Sequence, residues 1–451
     1  MKTNLGNLRR RDFLRAAGTA VAAFTFAPRH VVAGSGQTAP NDRLNIAGIG
    51  VGGRGHDDIN AIAPGNNMVA LCDVDERRAA RTLAKFPSAK RYKDFRKMFD
   101  EMEDGIDAVV VATPDHFHAV AAMAAIKRRK HVYCEKPLAH SVHEVAQLMK
   151  AAQDYNVVTQ LGNQGHSFNS IRDFCEWIWA GAIGQVHTIH VGCAAVNSGI
   201  DQLAEVRHGM PVPETLDWNQ WLGPAAYRPY HRDYLPGSWR GWTPFGNGTI
   251  GDWACHVVDP VFWALDLGAP ETIQAEVKHY DFKTQGDAFP KGEIITYQFA
   301  AKGNRAPITM KWYSGTERIP RPPELESDER DIETGGVVMG DKGTIVYGSH
   351  GAGQVRLIPQ AKMDAFKRPP RTLPRVQDHP HNWLNAIRKG KKADSDFANY
   401  GGPLTQIAML GVIAIKMTGV KLEWDAGAMR FKNCSEANEL LNPPYRMGWT
   451  L

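Results

Sequence analysis

Short apolar runs alternate with amphipathic segments over the first third of the chain, starting near residue 43. The run Ala108 to Ala112 is apolar throughout, which is typical of a strand buried in a parallel sheet. Strands that alternate with helices predict a doubly wound parallel sheet. The predicted strands cover residues 44–49, 68–72, 108–112, 131–134 and 157–160.

The later part of the chain has a different pattern, with strand-like runs separated by glycine and polar turns. It predicts a β-rich second domain that also contains helices at 381–388 and 403–418. The chain is therefore expected to be an α/β protein with two folded domains. The predicted strands of the second domain cover residues 185–191, 273–280, 294–299, 308–313, 343–347 and 354–358.

The N-terminus has the pattern of an export signal. The run Arg9-Arg10-Arg11 carries a twin arginine followed by Phe13-Leu14, and it precedes an apolar stretch over 16–27 and a small-residue site before Gly34. We therefore expect the twin-arginine translocase as a partner, a periplasmic or otherwise exported location, and a cofactor loaded before export. The predicted division is a signal and linker at 1–40, a nucleotide domain at 41–163, a substrate and oligomerisation domain at 164–425, and a tail at 426–451.

Composition narrows the class of protein. Hydrophobic residues make up 43% and charged residues 22%, values of an ordinary globular chain. The net charge of +5 is raised by the predicted signal and is too diffuse for a nucleic-acid-binding surface. The six cysteines are scattered, so neither a disulfide framework nor a metal site is predicted.

The first predicted strand runs into a glycine-rich turn that opens a helix. Gly48, Gly50 and Gly53 have the spacing of a dinucleotide-binding fingerprint, and Gly52 and Arg54 lie in the same turn. We expect a tight turn at Gly48, close approach of the backbone to a pyrophosphate at Gly50, and helix packing at Gly53. The helix N-terminus would then face the phosphates.

Asp73 follows the second predicted strand, 20 residues after the last glycine of the fingerprint. A carboxylate there accepts hydrogen bonds from the ribose 2′-hydroxyl and repels a 2′-phosphate, which favours NAD over NADP. Arg77 and Arg78 lie close by and weaken that preference. The alternative is that Asp73 only caps the next helix.

Two further loops follow strands of the predicted sheet, so they lie at the same edge as the glycine turn. One contains Thr113, Pro114 and His118, which we predict to contact the cofactor, although His118 could instead cap a helix. The other contains Glu135 and Lys136. A lysine at this edge is placed for chemistry beside a nicotinamide.

The second half adds groups suited to proton transfer. Asp252 and His256 are four residues apart, so they share one face if the segment is helical. A carboxylate beside an imidazole supports it as a proton acceptor. Gln164 and His166 lie where the chain enters the second domain, and we expect them to face the cofactor and the substrate respectively.

Residues 210–250 are rich in tryptophan, tyrosine, proline and glycine. Aromatic faces stack on the apolar faces of sugar rings, so Trp239 and Trp242 are predicted substrate contacts. The alternative is an extended segment that uses its aromatic residues to pack against itself.

Several stretches resemble the Gfo/Idh/MocA family of glucose–fructose oxidoreductase, inositol dehydrogenase and rhizopine-catabolism proteins. They are the turn at 48–55, the segment 109–139 that ends in Glu-Lys-Pro-Leu-Ala, and Gly-Asp-Trp-Ala-Cys-His-Val-Val-Asp at 251–259. The resemblance implies a Rossmann domain followed by an α/β domain with a large, open, mostly antiparallel sheet that often forms homo-oligomers. It also implies that Lys136, Asp252 and His256 are catalytic, with Asp252 as the partner of His256 and a ligand of the substrate.

The resemblance implies an oxidoreductase that moves hydride between a nicotinamide cofactor and a hydroxyl of a sugar, glycoside or cyclitol. One alternative is an NAD-dependent glycosidase that oxidises C3 transiently and then eliminates. Retention of Lys136 favours the dehydrogenase over the glycosidase branch. A second alternative is a redox sensor or binding protein, which the joint presence of Lys136, Asp252 and His256 argues against.

Overall fold

The computed structural model describes residues 43–451, so the predicted signal lies outside the described residues. Its first sheet has six parallel strands in the order β3-β2-β1-β4-β5-β6, which confirms the predicted doubly wound sheet. Successive residues of β4 point into separate cores, Val109 into one and Val110 into the other. The strands are β1 (Asn45–Ile49), β2 (Asn67–Cys72), β3 (Lys90–Tyr92), β4 (Ala108–Val111), β5 (His131–Glu135) and β6 (Thr159–Gly162).

Five helices connect these strands, and local capping explains where several begin. Asp75 accepts hydrogen bonds from the amides of Arg77 and Arg78 at the start of α2. Ser141 and Glu144 form a capping box at the start of α5. The helices are α1 (Arg54–Ile62), α2 (Glu76–Lys85), α3 (Phe95–Met102), α4 (Asp115–Lys127) and α5 (Val142–Asp154).

The second sheet has nine strands in the order β13-β12-β11-β7-β10-β9-β8-β14-β15. Only the β7–β10 pair is parallel. The strand β11 was not predicted, because three glycines dilute its apolar pattern. The strands are β7 (Val186–Cys193), β8 (Thr272–Glu276), β9 (Gly292–Phe299), β10 (Ile308–Gly315), β11 (Thr334–Gly340), β12 (Gly343–Gly348), β13 (Arg356–Ile358), β14 (Leu422–Asp425) and β15 (Arg430–Phe431).

Helices of the second half pack against both sheets. In particular, α12 returns to the first sheet, where Trp383 is buried against Tyr133. Within residues 43–451, no helix combines the length and the apolar character needed to cross a membrane. The helices are α6 (Asn169–Trp179), α7 (Trp218–Leu222), α8 (Gly248–Val257), α9 (Asp259–Ala264), α10 (Phe282–Gln285), α11 (Gln360–Ala365), α12 (His379–Lys389), α13 (Gly402–Lys416) and α14 (Ser435–Glu439).

Residues 213–247, here called the strap, cross from the second half back to the first sheet. The amide of Asp217 donates to the carbonyl of Val74 at 2.9 Å, next to an isolated β-bridge between Leu216 and Asp75. The strap therefore adjoins the loop that follows β2.

The tail at 426–451 contributes β15 and α14 and ends against the first domain. Trp449 packs on Phe95 and Phe117. Arg446 donates to the carbonyls of Gly223 and Asn219 in the strap, at 3.1 and 3.0 Å. The predicted domain limits stay predictions, but the tail joins the strap to the nucleotide half.

Candidate active site

A cleft runs along the carboxyl edge of the first sheet, and the strap closes part of its outer side. Strap residues Gln220, Trp221, Trp239 and Arg240 line it opposite the glycine turn. Most of the residues predicted to contact a cofactor lie in its wall. They are Gly50, Gly52, Gly53, Arg54, Asp73, Thr113, Pro114, Glu135 and Lys136.

The glycine turn lies where it was predicted, between β1 and α1, but the predicted tight turn at Gly48 and helix packing at Gly53 are wrong. Gly50 has a left-handed φ of 75°, and a Cβ there would lie 2.8 Å from the carbonyl oxygen of Ala112. Gly48 is the packing glycine, because a Cβ there would lie 2.7 Å from Cδ1 of Ile59 on α1. Gly53 is the N-cap of α1 with a φ of 53°.

The carboxylate of Asp73 stabilises this turn through hydrogen bonds from backbone amides. Its Oδ2 accepts from the amides of Val51 at 2.8 Å and Gly52 at 3.2 Å, and its Oδ1 accepts from Asp75 at 2.9 Å. The alternative in which Asp73 caps the next helix is wrong, because Asp75 caps it. Asp73 still lines the cleft, so its contact with a ribose hydroxyl stays a prediction.

The predicted contact of His118 with a cofactor is wrong in this structure. Its buried ring lies between two loops, with Nδ1 2.7 Å from the carbonyl oxygen of Pro137 and Nε2 2.7 Å from that of Thr113. Both ring nitrogens therefore face backbone carbonyls and not the cleft. His118 positions the two loops that carry Thr113 and Lys136.

Glu135 lies at the centre of a polar cluster under the cleft. Its Oε1 accepts from Nε2 of Gln164 at 2.6 Å and from Nε of Arg54 at 3.3 Å. Arg54 also pairs with Asp58 at 2.6 Å, whose pKa is raised well above its usual value by burial and by the nearby Glu135. Gln164 does not line the cleft; it also donates to the hydroxyl of Tyr133 at 2.9 Å and orients Glu135.

Lys136 and Asp252 meet across the two halves of the chain. The ammonium of Lys136 donates to Oδ1 of Asp252 at 2.6 Å and to its backbone carbonyl at 2.8 Å. Arg240 from the strap reaches the same Oδ1 at 3.1 Å, and Asn197 donates to Oδ2 at 3.3 Å. Burial alone would raise the pKa of Asp252, but Lys136 and Arg240 bring it below its usual value, so the carboxylate is ionised.

His256 lies one helical turn after Asp252, yet the predicted pairing of the two is wrong. The carboxylate of Asp252 is taken by Lys136, Arg240 and Asn197. The ring of His256 packs against that of His350 instead, with ring centroids 4.1 Å apart and the planes tilted by 37°. Its Nδ1 is buried and has no hydrogen-bond partner among the described residues.

The surroundings of His256 keep its imidazole neutral. Burial lowers its pKa well below the usual value, and the positive charges of Lys136 and Arg240 and the nearby His350 lower it further. A neutral imidazole is the form that accepts a proton. The site therefore joins a fixed cation, Lys136, to a neutral proton acceptor.

His166 was predicted to bind substrate, but the structure buries it elsewhere. Its Nδ1 lies 3.0 Å from Oδ1 of Asp259, and its ring packs against Trp263 and Tyr400. Asn163 donates to the other oxygen of Asp259 at 3.1 Å. This network ties α9 to the end of β6 and leaves His166 outside the cleft lining.

The two predicted tryptophan contacts have different outcomes. Trp239 lines the cleft, and the guanidinium of Arg240 stacks on its ring at 4.2 Å. Trp242 is a packing residue, so its predicted substrate contact is wrong. It is buried against Tyr234, and its indole donates to the carbonyl of Asp233 at 2.8 Å.

Three groups at the site were missed from the sequence. The sequence did indicate a role for Arg240, because this residue lies between the two tryptophans in a segment suited to sugar binding. Asn197 and His350 had none, since nothing near them in sequence indicates that their loops reach α8. His350 has a positive φ of 44° in a glycine-rich turn whose Gly351 packs on Gly165.

The cleft fits a dinucleotide by its own atoms. Thr113 presents a hydroxyl that has no partner among the described residues, inside the cleft wall. Among residues 43–451, no side chain caps the N-terminus of α1. These groups would hold the phosphates and the nicotinamide end.

Comparison with known proteins agrees with this geometry. Residues 43–163 match the model of the oxidoreductase family's NAD-binding Rossmann fold, and residues 198–311 match its C-terminal alpha/beta domain. Together these models cover more than half of the chain.

Curated relatives are distant. The 1,5-anhydro-D-fructose reductase of Ensifer adhaerens is 26% identical over 47% of this chain and 53% of its own length. The inositol 2-dehydrogenase of Salmonella typhimurium (strain LT2) is 29% identical over 40% of this chain and 54% of its own. The chain thus spans about half the length of these two proteins. A 2,7-anhydro-N-acetylneuraminate hydratase of Mediterraneibacter gnavus is 22% identical over 74% of this chain and 82% of its own.

Solved structures share the fold. WlbA dehydrogenase from Bordetella pertussis, in complex with NADH and UDP-GlcNAcA, superposes with a TM-score of 0.58 at 16% identity, covering 85% of this chain and 99% of that one. Levoglucosan dehydrogenase, in complex with NADH and levoglucosan, gives 0.56 at 20% identity, covering 84% and 99%. With its glycine turn, its cleft and both family models in agreement, this chain belongs to the Gfo/Idh/MocA oxidoreductase family.

Proposed function

We propose that this protein is an exported NAD-dependent oxidoreductase that moves hydride between a tightly held cofactor and a hydroxyl of a sugar, glycoside or cyclitol. The observation that carries the proposal is Lys136, which lines the cofactor cleft and is fixed by Asp252 from the second half. The dehydrogenases and the reductase among the relatives support the substrate class.

Different residues of the site carry different steps of the proposed reaction. NAD, when bound, supplies the hydride acceptor. Lys136 stabilises the alkoxide character that develops as the hydroxyl proton leaves, and Asp252 holds its ammonium in place. The neutral His256 accepts the proton of the hydroxyl, and in the reverse direction it returns that proton.

The strap supports tight retention of the cofactor. It packs on the loop after β2 at one end and supplies Trp239 and Arg240 at the other. Arg446 of the tail holds it from outside, through Asn219 and Gly223. We expect purified protein to carry NAD through dialysis, and Arg446→Ala to release it faster.

The test is to denature purified protein, assay released NAD(H), and screen polyols, sugars and aryl glycosides for reduced cofactor. A rise in reduced cofactor with at least one polyol is expected. Lys136→Ala and His256→Ala should each lose turnover while keeping NAD. Unchanged turnover rates in both variants would show that Lys136 and His256 are not catalytic.

A second candidate is a redox-neutral reaction, such as glycoside cleavage through transient oxidation and elimination. The hydratases among the relatives favour it, since their name describes no net redox change. The same screen separates the two, because release of aglycone without accumulation of reduced cofactor selects the second candidate.

Export and assembly are parts of the same proposal. The run Arg9-Arg10-Arg11 before Phe13-Leu14 supports export by the twin-arginine translocase, and replacing all three arginines with lysine should leave the protein in the cytoplasm. The open second sheet supports a homo-oligomer. Light scattering of the purified protein tests this, and a monomer at micromolar concentration would refute it.

A further inference from the structure

A second cavity lies behind the candidate active site, outside the cofactor cleft. It encloses about 240 Å³ between α13, the start of α5 and the strap, with Pro443 and Tyr445 of the tail at its rim. This volume is below the roughly 300–1,000 Å³ typical of sites for drug-sized ligands, so its occupant would be small.

Two cationic side chains, Lys416 and Arg228, line this cavity. Lys416, at the end of α13, forms no ion pair with an acid within residues 43–451, and its ammonium lies 5.6 Å from the centre of the Phe282 ring. Burial lowers its pKa to about 8, which still leaves it charged at neutral pH. Arg228 lines the cavity as well, and its Nε has no acceptor among the described residues, while its only ion pair there, with Asp287, is long at 3.6 Å.

The other ionisable lining groups balance these charges only in part. The carboxylate of Glu144 is engaged by the amides of His140 and Ser141 at 2.8 and 2.9 Å and by the hydroxyl of Tyr445 at 2.6 Å. Burial lowers the pKa of His116 to about 4 and that of His140 to about 3, so both are neutral near pH 7. Among the lining residues, two cations therefore stand against one carboxylate.

The rest of the wall is largely apolar, from Pro224, Met409, Val412 and Ile413. A pocket that combines an apolar wall with two cations, neither of which forms a short ion pair, is complementary to an anion with a short hydrocarbon body. We propose that this cavity binds a small organic carboxylate, with its anionic end at Lys416 and Arg228 and its apolar end against α13.

A chain of hydrogen bonds links this cavity to the candidate active site. Asn247 lines the cavity, and its Nδ2 donates to Oδ2 of Asp115 at 3.2 Å. The other oxygen of Asp115 accepts from Arg240 at 3.2 Å, and Arg240 reaches Asp252 at 3.1 Å. Asp252 holds Lys136, so an occupant of the cavity lies a short series of contacts away from the catalytic lysine.

Calorimetric titration of the full chain with butyrate tests the proposal, with butyramide as its uncharged counterpart. Butyrate should bind and butyramide should bind at least about tenfold more weakly, since a hydrogen bond to a charged group is the stronger kind. Lys416→Met should weaken butyrate binding about ten- to hundredfold. Lys421→Met is the matched control, because that lysine is exposed a few residues further along, and it should bind like wild type.

A second variant tests whether binding needs the volume of the cavity and not only its charged side chains. Ala225→Trp fills the cavity from the strap side and should abolish binding while both cations remain. Absence of butyrate binding to wild type at millimolar concentration overturns the proposal. Equal binding by wild type and Lys416→Met overturns it too.

The effect on turnover rests on the proposed function, whereas the titration does not. Butyrate should change KM for the polyol in wild type and leave it unchanged in Lys416→Met. If calorimetry detects binding but no polyol is oxidised, the proposed function fails and the carboxylate site stands. If polyols are oxidised but butyrate does not bind, the carboxylate site fails alone.

Discussion

Asp73 lines the cofactor cleft, whereas Asp252 is outside its lining and holds Lys136, which lines it, and the partners of the two carboxylates differ in kind. Asp73 accepts from the backbone amides of Val51 and Gly52 in the turn that it follows by about 20 residues. Asp252 is bonded by side chains of Lys136, Arg240 and Asn197, which come from three separate parts of the chain. The carboxylate at the cofactor end is thus held by backbone amides of the glycine turn. The carboxylate at the substrate end is held by side chains from distant parts of the chain, two of them cationic.

The largest expected effect is at the substrate end. Asp252→Asn leaves Lys136 and Arg240 without their shared carboxylate, so the ammonium loses its fixed position. We expect kcat to fall by about a hundredfold or more, the scale seen when a preorganised charge is lost. Affinity for NAD, measured by calorimetry, should stay within a few-fold of wild type.

Asp73→Asn is the matched change at the cofactor end. It should raise the dissociation constant of NAD by about tenfold, through weaker contacts to the turn and the ribose, and leave kcat nearly unchanged. If Asp73→Asn lowers kcat as strongly as Asp252→Asn does, the contrast between the two ends is wrong.

Gly50→Ala tests the backbone character of the cofactor end. Gly50 and Gly181 have nearly the same φ, 75° and 77°, but only Gly50 has atoms within 4 Å of an added Cβ. Gly181→Ala should cost about 1–2 kcal/mol of unfolding free energy from backbone strain alone. Gly50→Ala should cost more and weaken NAD binding about tenfold or more, as denaturation and calorimetry would show.

Trp239 and Trp242 separate binding from packing within the strap. Trp239→Ala should raise KM for the polyol up to about tenfold, because aromatic stacking on the substrate is lost. Trp242→Ala should cost about 3–5 kcal/mol of stability, the range for a buried tryptophan, with KM little changed in the folded fraction. Equal effects of both changes on KM would contradict the assignment.

The smallest expected effect concerns pH. Since the pKa of His256 lies well below its usual value, the imidazole stays neutral as pH falls, and kcat/KM should hold its plateau below pH 6.5. His350→Gln removes one group that lowers this pKa, so the acid limb of the profile should move to higher pH. A limb near pH 6.5 in wild type that does not move in the variant would exclude His256 as the base.

The residues at the cofactor end could be predicted from the sequence for a physical reason. Parallel buried strands appear as apolar runs, and their loops meet at one edge of the sheet. Gly50, Asp73, Thr113 and Lys136 could therefore be placed together from the amino-acid pattern alone. Even there, the roles of individual glycines differed, because whether a Cβ meets a neighbouring side chain or the backbone depends on packing.

The residues at the substrate end could be predicted from the sequence only in part. The four-residue spacing of Asp252 and His256 gave a common helix face but not the competitors for the carboxylate. Arg240 arrives from the strap, and it and Lys136 outcompete the imidazole. His166 and Trp242 have side chains suited to sugar binding, but burial decides their role, and burial depends on contacts far away in sequence.

The most direct test of the account is a single-turnover measurement on NAD-loaded protein. Wild type mixed with an oxidisable polyol should reduce its bound cofactor, followed by absorbance. Lys136→Met should retain its NAD and reduce it at least about a hundredfold more slowly. Lys93→Met, which changes a lysine at the adenosine end of the same cleft, should reduce it at the wild-type rate. Equal rates for Lys136→Met and wild type would contradict a catalytic centre built on Lys136.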